Sequence, residues 1–366
     1  MKRSKIIGLI LTASILLSGC SSAATDTEME CVTEEAVASQ AETEVSSSET
    51  EVSIPETEPS EIKPSETSKK ESHYKYDPHP YIPLLLEDVP EDYWISFHNL
   101  SDALRAGEVT FECSSQEAYE LATNPVVLGQ LMPAACMKIT GESNDGTTPY
   151  ENGLGRIYYQ MTPEDFVQRE KDFEAMVEDI LNEYLEDDDS EFEIALKLYD
   201  YMESNYVYNY DFNEYLDDGF TYYAMMNHTG QCIDLAGVYS FLLTQAGVEA
   251  ISVGCNNIDM AHEWVYLVID GKGYYSDPTW SLYEYGSLPL YYFLMTEERR
   301  VDSGCTVDDL TSPLLPEYWL ERSVLRLSAS DEDLCFPGGS FLDHIDEADR
   351  TVYYSIYDDE TLELVY

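Results

Sequence analysis

The alternation of apolar and polar positions is most readable between residues 232 and 280. After Gly230-Gln231, apolar residues fall at Leu235, Val238, Leu242 and Ala246, the spacing of a helix with one buried face, and Gly247 ends it. Between 249 and 255, Ile251, Val253 and Cys255 alternate with small or polar residues, which predicts a half-buried strand, and 256–259 reads as a polar loop. Residues 262–269 are rich in β-branched and aromatic side chains, Asp270-Gly271 suits a tight primed turn, and Tyr274 resumes a strand. With Asp270 and Gly271 as the two loop residues, Ile269 faces Lys272, Trp264 faces Asp277 and His262 faces Thr279. His262 and Asp277 then become diagonal neighbours on one face, roughly 7–8 Å apart at the backbone. A bulge of one residue would separate their faces.

The flanking patterns predict a mixed α+β chain. Residues 76–161 read as an N-terminal α+β subdomain: a helix over 100–106, a strand over 109–113, a helix capped by Ser115, a turn at Asn144-Asp145-Gly146 and a strand over 156–161. A core over 162–306 opens on Thr162-Pro163-Glu164-Asp165, a helix start with proline at its first position. Phe166, Phe173, Val177, Ile180 and Tyr184 lie mostly on one face of that helix. Ser190-Glu191-Phe192-Glu193 has the form of a capping box and opens a second helix through about Ser204. Residues 291–294 are expected to form the last strand of the core sheet. A C-terminal β extension over 307–366 contains a hairpin, 351–357 with 361–366 around Asp358-Asp359-Glu360.

The N-terminus is of another kind. Residues 1–19 carry Lys2, Arg3 and Lys5, an apolar run over 6–17 and Leu17-Ser18-Gly19 directly before Cys20, the layout of a bacterial lipoprotein signal. About 12 apolar residues are too few to span a bilayer. Cys20 is therefore the expected lipidated N-terminus of the mature chain, anchored in the lipid bilayer on the extracellular face of the cell membrane. Residues 20–75, rich in Ser, Thr, Glu and Pro, cannot bury enough surface to offset ordering and read as a disordered tether.

Charge and cysteine content narrow the partners. The formal net charge is −53, and only 14 of the 72 acidic residues lie in 21–75, so the excess belongs mostly to the folded part. Such a surface excludes a nucleic-acid partner, which needs a basic face. No cofactor is expected; calcium at Glu186-Asp187-Asp188-Asp189 is a weak candidate, because the run lacks the alternating ligands and glycine of a calcium loop and reads as a turn between helices. The eight cysteines, at 20, 31, 113, 136, 232, 255, 305 and 335, show no paired CxxC, and the histidines are scattered, so no metal site is expected and disulfide pairing stays open. The tyrosines clustered over 206–222 and 283–292 read as half-buried packing.

Chemistry concentrates in three ordered blocks. A cysteine at a helix N-terminus has its thiolate stabilised by unpaired N–H groups, an imidazole beside it acts as base, and a carboxylate behind the imidazole fixes tautomer and orientation. Cys232, His262 and Asp277 fit these roles. The residues Tyr222, Ala224 and Asn227 leading into Gly230-Gln231-Cys232, then Ala236, His262-Glu263-Trp264 and Asp277-Pro278-Thr279-Trp280, resemble the transglutaminase-like superfamily, whose fold is related to papain-like cysteine proteases. The likeness covers about sixty residues closely and departs at Ile233, Asp234, Glu263 and Val265, which line the helix start and the histidine strand. It implies a papain-like core with the catalytic Cys232 at a helix N-terminus packed on an antiparallel sheet, and a Cys232–His262–Asp277 triad.

Two functions are compatible with this. One is a membrane-anchored cysteine acyl-transfer enzyme working through a thioester on protein or peptide amides at the cell envelope, hydrolysis favoured over cross-linking because no amine-binding feature can be named. The other is a catalytically silent binding or scaffolding domain on the same fold. The oxyanion donor discriminates: the Cys232 N–H supplies one bond, and Tyr222 and Asn227 are candidates for the second. For the anchor, Cys20→Ser is expected to leave the protein unprocessed or released from membranes. Equal membrane partitioning and processing of mutant and wild type in fractionated cells would contradict the lipoprotein reading.

Overall fold

The computed structural model describes residues 73–366 except 86–88, 144–145, 211–217, 258–259, 283–287, 302–309, 312–326 and 358–360. The signal segment 1–19, Cys20 and the tether through residue 72 lie outside the described residues, as do parts of the turns expected at Asn144-Asp145-Gly146 and Asp358-Asp359-Glu360. Residues 73–75, at the end of the expected tether, are among the described residues. The backbone N–H groups of His73 and Tyr74 donate to Asn182 Oδ1, and that of Tyr76 to Glu178 Oε1, which ties this stretch to the folded part. Among the described residues no helix is long and apolar enough to cross a membrane.

The N-terminal part comprises α1 (Glu91–Ala106), β1 (Thr110–Glu112), α2 (Gln116–Ala122), α3 (Pro125–Leu131), β2 (Ile139–Thr140), β3 (Tyr150–Glu151), β4 (Leu154–Arg156) and β5 (Tyr158–Tyr159). Ser115 caps α2 by accepting from Ala118 N–H at 3.1 Å, as its sequence predicts. The helix expected over 100–106 starts earlier, at Glu91, because Trp94 and Phe97 continue the buried face of Leu100 and Leu104. The single strand expected over 156–161 is two short ones. Ile157 leaves the ladder with Leu154–Arg156 and gives its N–H to Val109 O.

Next come α4 (Pro163–Tyr184), α5 (Glu191–Asn205), β6 (Val207–Tyr208), α6 (Phe220–Asn227), β7 (Thr229–Gly230) and α7 (Cys232–Gln245). Thr162 caps α4, and Ser190 with Glu193 closes a complete capping box on α5, so both starts lie where the sequence places them. The acidic run 186–189 connects α4 to α5, and Asp189 pairs with Lys197 at 2.6 Å. The expectation for α7 needs correction: nearly every residue from Asp234 to Leu243 is buried, on all sides. It packs against the sheet, α3, α5, α6 and α8, so its apolar spacing marks a central helix rather than one with a solvent face.

The chain then forms β8 (Ala250–Asn257), β9 (Met260–Ile269), β10 (Lys272–Ser276), α8 (Pro278–Ser281), α9 (Glu297–Val301), β11 (Leu310–Thr311), β12 (Ser340–Asp346), β13 (Thr351–Ile356) and β14 (Thr361–Val365). The central sheet is antiparallel in the order β10, β9, β8, β11. Asp270 and Gly271 both adopt positive φ, +50° and +75°, the requirement of a primed turn, and Lys272 pairs with Ile269 as counted from the sequence. Two expectations fail here. Of the polar loop expected over 256–259, Asn256 and Asn257 are strand, pairing with Ala261 and Met260, and 258–259 lie outside the described residues. Residues 291–294 form no strand: Phe293 N–H turns back to Leu290 O, Leu294 takes φ +49°, and the chain meets β10 through an isolated bridge from Met295 to Tyr275.

The sheet has two covered faces. Val265, Leu267, Ile269 and Tyr274 join α4, α5, α7 and the C-terminal strands in one apolar cluster. Ile251, Val253, Trp264, Tyr266 and Tyr275 join the N-terminal elements in another. The expected C-terminal hairpin is present, pairing Thr351 with Val365, and gains a third strand, β12. It docks through Tyr366, whose ring stacks on Phe192 at 4.3 Å and whose hydroxyl donates to Glu193 Oε1 at 2.6 Å. Cys113, Cys136, Cys232 and Cys335 carry free thiols, and Cys255 is disulfide-bonded. Among the described tyrosines of the two clusters, Tyr208, Tyr291 and Tyr292 are half-buried, Tyr206 and Tyr222 are buried and Tyr210 is exposed.

One buried acid gives the fold a pH signature. Glu170 on α4 is 3% exposed, and burial, with Glu174 adding to it, pushes its carboxyl up to about 7 against the pull of Arg105 and Arg169. The native state therefore keeps a proton that the unfolded chain loses above about 4.5, and stability falls as pH rises through the window from there to about 7. Glu170→Gln should match wild type near pH 4.5 and exceed it by up to about 3 kcal/mol at pH 7.5. Urea unfolding midpoints that differ by the same amount at both pH values would refute this.

Candidate active site

Cys232 is the first residue of α7. Gln231 before it is extended, its N–H donates to the Asp234 carboxylate at 2.7 Å, and Leu235 N–H donates to Gln231 O at 2.9 Å to start the helical ladder. The N–H groups of residues 232 to 234 thus belong to the first turn, which has no carbonyl four residues back within the helix, and the positive end of the helix favours a thiolate at Cys232. Gly230 is required by space: a Cβ there would lie 2.8 Å from the Cβ of Asp234 and 3.3 Å from that of Ala224. Its own strand runs parallel to β6, with Tyr208 opposite Gly230 and Asn209 N–H bound to Gly230 O at 2.8 Å.

The hairpin delivers the other two groups. β10 ends at Ser276 opposite Val265, so the next residue, Asp277, arrives level with Trp264, and its carboxylate reaches diagonally to His262. His262 Nε2 and Asp277 Oδ2 are 2.6 Å apart, with both side chains almost wholly excluded from solvent. A carboxylate at this distance accepts the ring N–H, which places the proton on Nε2. Asp277 is fixed on every side. Its Oδ1 caps α8 by accepting from Thr279 N–H at 2.9 Å and Trp280 N–H at 3.1 Å, its N–H donates to Tyr292 O at 2.9 Å, and its carbonyl accepts from the Tyr199 hydroxyl at 2.8 Å. The imidazole is held by rings as well: Trp280 stacks on it at 4.9 Å and 13°, and Trp264 lies 5.5 Å away.

Two acids lie close to these groups. Glu263 follows His262, and its carboxyl accepts from the Ser252 hydroxyl at 3.0 Å across the sheet. Burial pushes it up to about 7, with the nearby Asp234 raising it further while Ser252 and His262 oppose. The same carboxyl thus senses both the first turn of α7 and the histidine strand. Gly254, its cross-strand partner, leaves the room: a Cβ there would fall 2.7 Å from Glu263 Cγ.

The structure joins His262 to Asp277 directly and sets Cys232 at the head of the helix packed on β9 and α8. The proposed oxyanion donors have other partners. Tyr222 is a core residue, its ring 3.4 Å under the Arg169 guanidinium and 5.4 Å from Phe173. Asn227 is exposed at the end of α6 and its amide donates to Tyr223 O at 2.9 Å. Tyr199, which steadies Asp277 from α5, carries no local sequence signal, since it lies 78 residues away.

Residues 178–277 match the sequence model of the transglutaminase-like superfamily, a span containing Cys232, His262 and Asp277. The chain therefore carries a transglutaminase-like core of mixed helix and antiparallel sheet. Among solved structures it is similar to a protein from Cytophaga hutchinsonii provisionally named a cysteine protease, at 15% identity over 29% of this chain and 37% of that one, TM-score 0.25. It is also similar to a provisionally named protease from Parabacteroides distasonis ATCC 8503, at 14% identity over 37% of this chain and 30% of that one, TM-score 0.23. The chain thus spans well under half the length of these structures. No curated protein matches it.

Asp277→Asn offers a test of the imidazole's tautomer that is independent of activity. The amide oxygen can keep both caps on α8, so stability should change by less than about 1 kcal/mol. Its nitrogen then faces Nε2 and donates, moving the ring proton to Nδ1. Nitrogen NMR should find the proton on Nε2 in wild type and on Nδ1 in the variant. The same tautomer in both would remove Asp277 as the orienting group.

Proposed function

We propose that the protein is a cysteine acyl-transfer enzyme, held at the extracellular face of the bacterial membrane by lipidated Cys20, that cleaves or transfers peptide or glutamine amide bonds through Cys232, His262 and Asp277. The observation that carries the reading is the 2.6 Å contact of His262 Nε2 with a carboxylate fixed from every side, on a strand packed against the helix that Cys232 opens. With Nε2 given to Asp277, proton exchange with the thiol falls to Nδ1.

In this mechanism Nδ1 takes the proton of Cys232 Sγ and the thiolate attacks the amide carbonyl carbon, forming the C–S bond. The developing oxyanion meets the Cys232 backbone N–H at the positive end of α7. The imidazolium returns its proton to the leaving nitrogen as the C–N bond breaks, which leaves a thioester. Water, deprotonated by His262, then releases the acid; an amine in its place gives a new amide. Hydrolysis is favoured, because no amine-binding feature is evident. The disulfide at Cys255 supports an extracytoplasmic location, where such bonds persist.

Incubating detergent-solubilised wild type and Cys232→Ala with envelope protein and a labelled primary amine tests the activity: new termini mean hydrolysis, labelled adducts mean transfer, and both should vanish in the variant. Cys232 should alkylate with iodoacetamide near pH 6, far below the ~8.5 of a free thiol, and His262→Ala should slow this about tenfold or more. Labelling of Cys232, mapped by peptide mass, that is indifferent to His262 would remove the catalytic reading and leave a silent binding domain.

A further inference from the structure

Behind the His262–Asp277 pair lies a cleft of about 230 Å³. Asp277, Trp264 and Trp280, the groups that hold the imidazole, form one wall, and Tyr291, Tyr292 and two consecutive arginines, Arg299 and Arg300, form much of the rest. The arginines are set by packing. Arg300 is 1% exposed, its guanidinium 4.8 Å from the Tyr275 ring and 5.3 Å from that of Trp264. Arg299 is half-buried over Tyr291 at 4.7 Å, and its Nη1 donates to Phe336 O at 2.6 Å and Tyr291 O at 3.3 Å.

The charge of this cleft runs against that of the chain. The protein has 19 Lys and Arg against 72 Asp and Glu, yet two of its few cations line one small space. The one carboxylate in the lining, Asp277, already accepts from His262, Thr279 and Trp280. Aromatic walls alone would suit a cation, but two guanidinium groups, which stay charged, repel one and match a carboxylate. The volume is below that of a site for a drug-sized molecule, so it suits one side chain or a chain end.

We propose that this cleft is a specificity pocket that binds a carboxylate of the substrate, either an acidic side chain or a free peptide C-terminus, through Arg299 and Arg300, the flat aromatic walls enclosing its stem. The proposal rests on the reading of Cys232, His262 and Asp277 as the reacting groups, since the cleft shares Asp277, Trp264 and Trp280 with the surroundings of the imidazole. It assigns the acidic chain an acidic substrate, admitted through a local reversal of charge.

Binding can be tested apart from turnover. The full chain in detergent, as Cys232→Ala, is titrated calorimetrically with peptides of one neutral sequence: free C-terminal acid, C-terminal amide, and amide-ended forms with internal Glu or internal Gln. At least one acid should bind about tenfold more tightly than its neutral counterpart, and which one does so identifies the carboxylate's source. Arg299→Gln should bring that ratio toward one, and kcat/KM on the wild type should follow the same order. Equal affinities within each pair, no binding by any peptide, or a ratio unmoved by Arg299→Gln in a variant with native circular dichroism would overturn the proposal. Selective binding with no turnover by wild type would keep the pocket and remove the catalytic reading.

Discussion

The site depends on the immobility of one carboxylate. Asp277 receives hydrogen bonds on both side-chain oxygens and on its carbonyl, and gives its N–H to Tyr292. Burying a charge is costly unless its lone pairs are satisfied, and these contacts meet that condition. They draw on five parts of the chain: α5 through Tyr199, β9 through His262, the β10 end, α8, and the turn at Tyr292. The residue that orients the histidine is therefore also where the transglutaminase-like core is tied together, and loosening any of these elements would be felt at the imidazole.

Around this point the molecule is organised by burial rather than by separate domains. α7 has no solvent face, so a thiol at its first residue is among the few parts of that helix that can meet a substrate. The N-terminal elements close one face of the sheet and the helical elements with the C-terminal strands close the other. The N-terminal part thus stabilises the sheet whose strands carry His262 and lead to Asp277, although it contributes no group to the reaction proposed.

Electrostatics add a second layer. Glu170 and Glu263 are both pushed up to about 7 by burial, one within the helical packing and one beside His262. In a chain with a net charge of −53, the protons these acids hold below about pH 7 limit the repulsion inside the fold. The arginine-lined cleft behind Asp277 is the opposite case, a place where cations are gathered and fixed by aromatic packing.

Local rules were enough for much of this. The caps at Ser115, Thr162 and Ser190, the extent of α7 from Cys232, and the primed turn at Asp270-Gly271 follow from short-range chemistry, and the turn's register alone brought His262 and Asp277 to one face. Where contacts are non-local, the sequence was silent or misleading. Residues 291–294 have strand composition but form a turn, in which Phe293 N–H closes onto Leu290 O and Leu294 takes a positive φ, so the chain meets β10 through an isolated bridge from Met295 to Tyr275. Tyr222 sits near Cys232 in sequence yet spends its ring on Arg169 and Phe173, while Tyr199 and Arg300, with no motif to mark them, reach Asp277 and its cleft. The sequence by itself determined which residues start a helix, turn a hairpin and bring His262 and Asp277 to one face, since those depend on neighbours a few residues away. Only the tertiary structure decided which side chains support them and what charge surrounds them, because those are set by the packing of segments tens of residues apart.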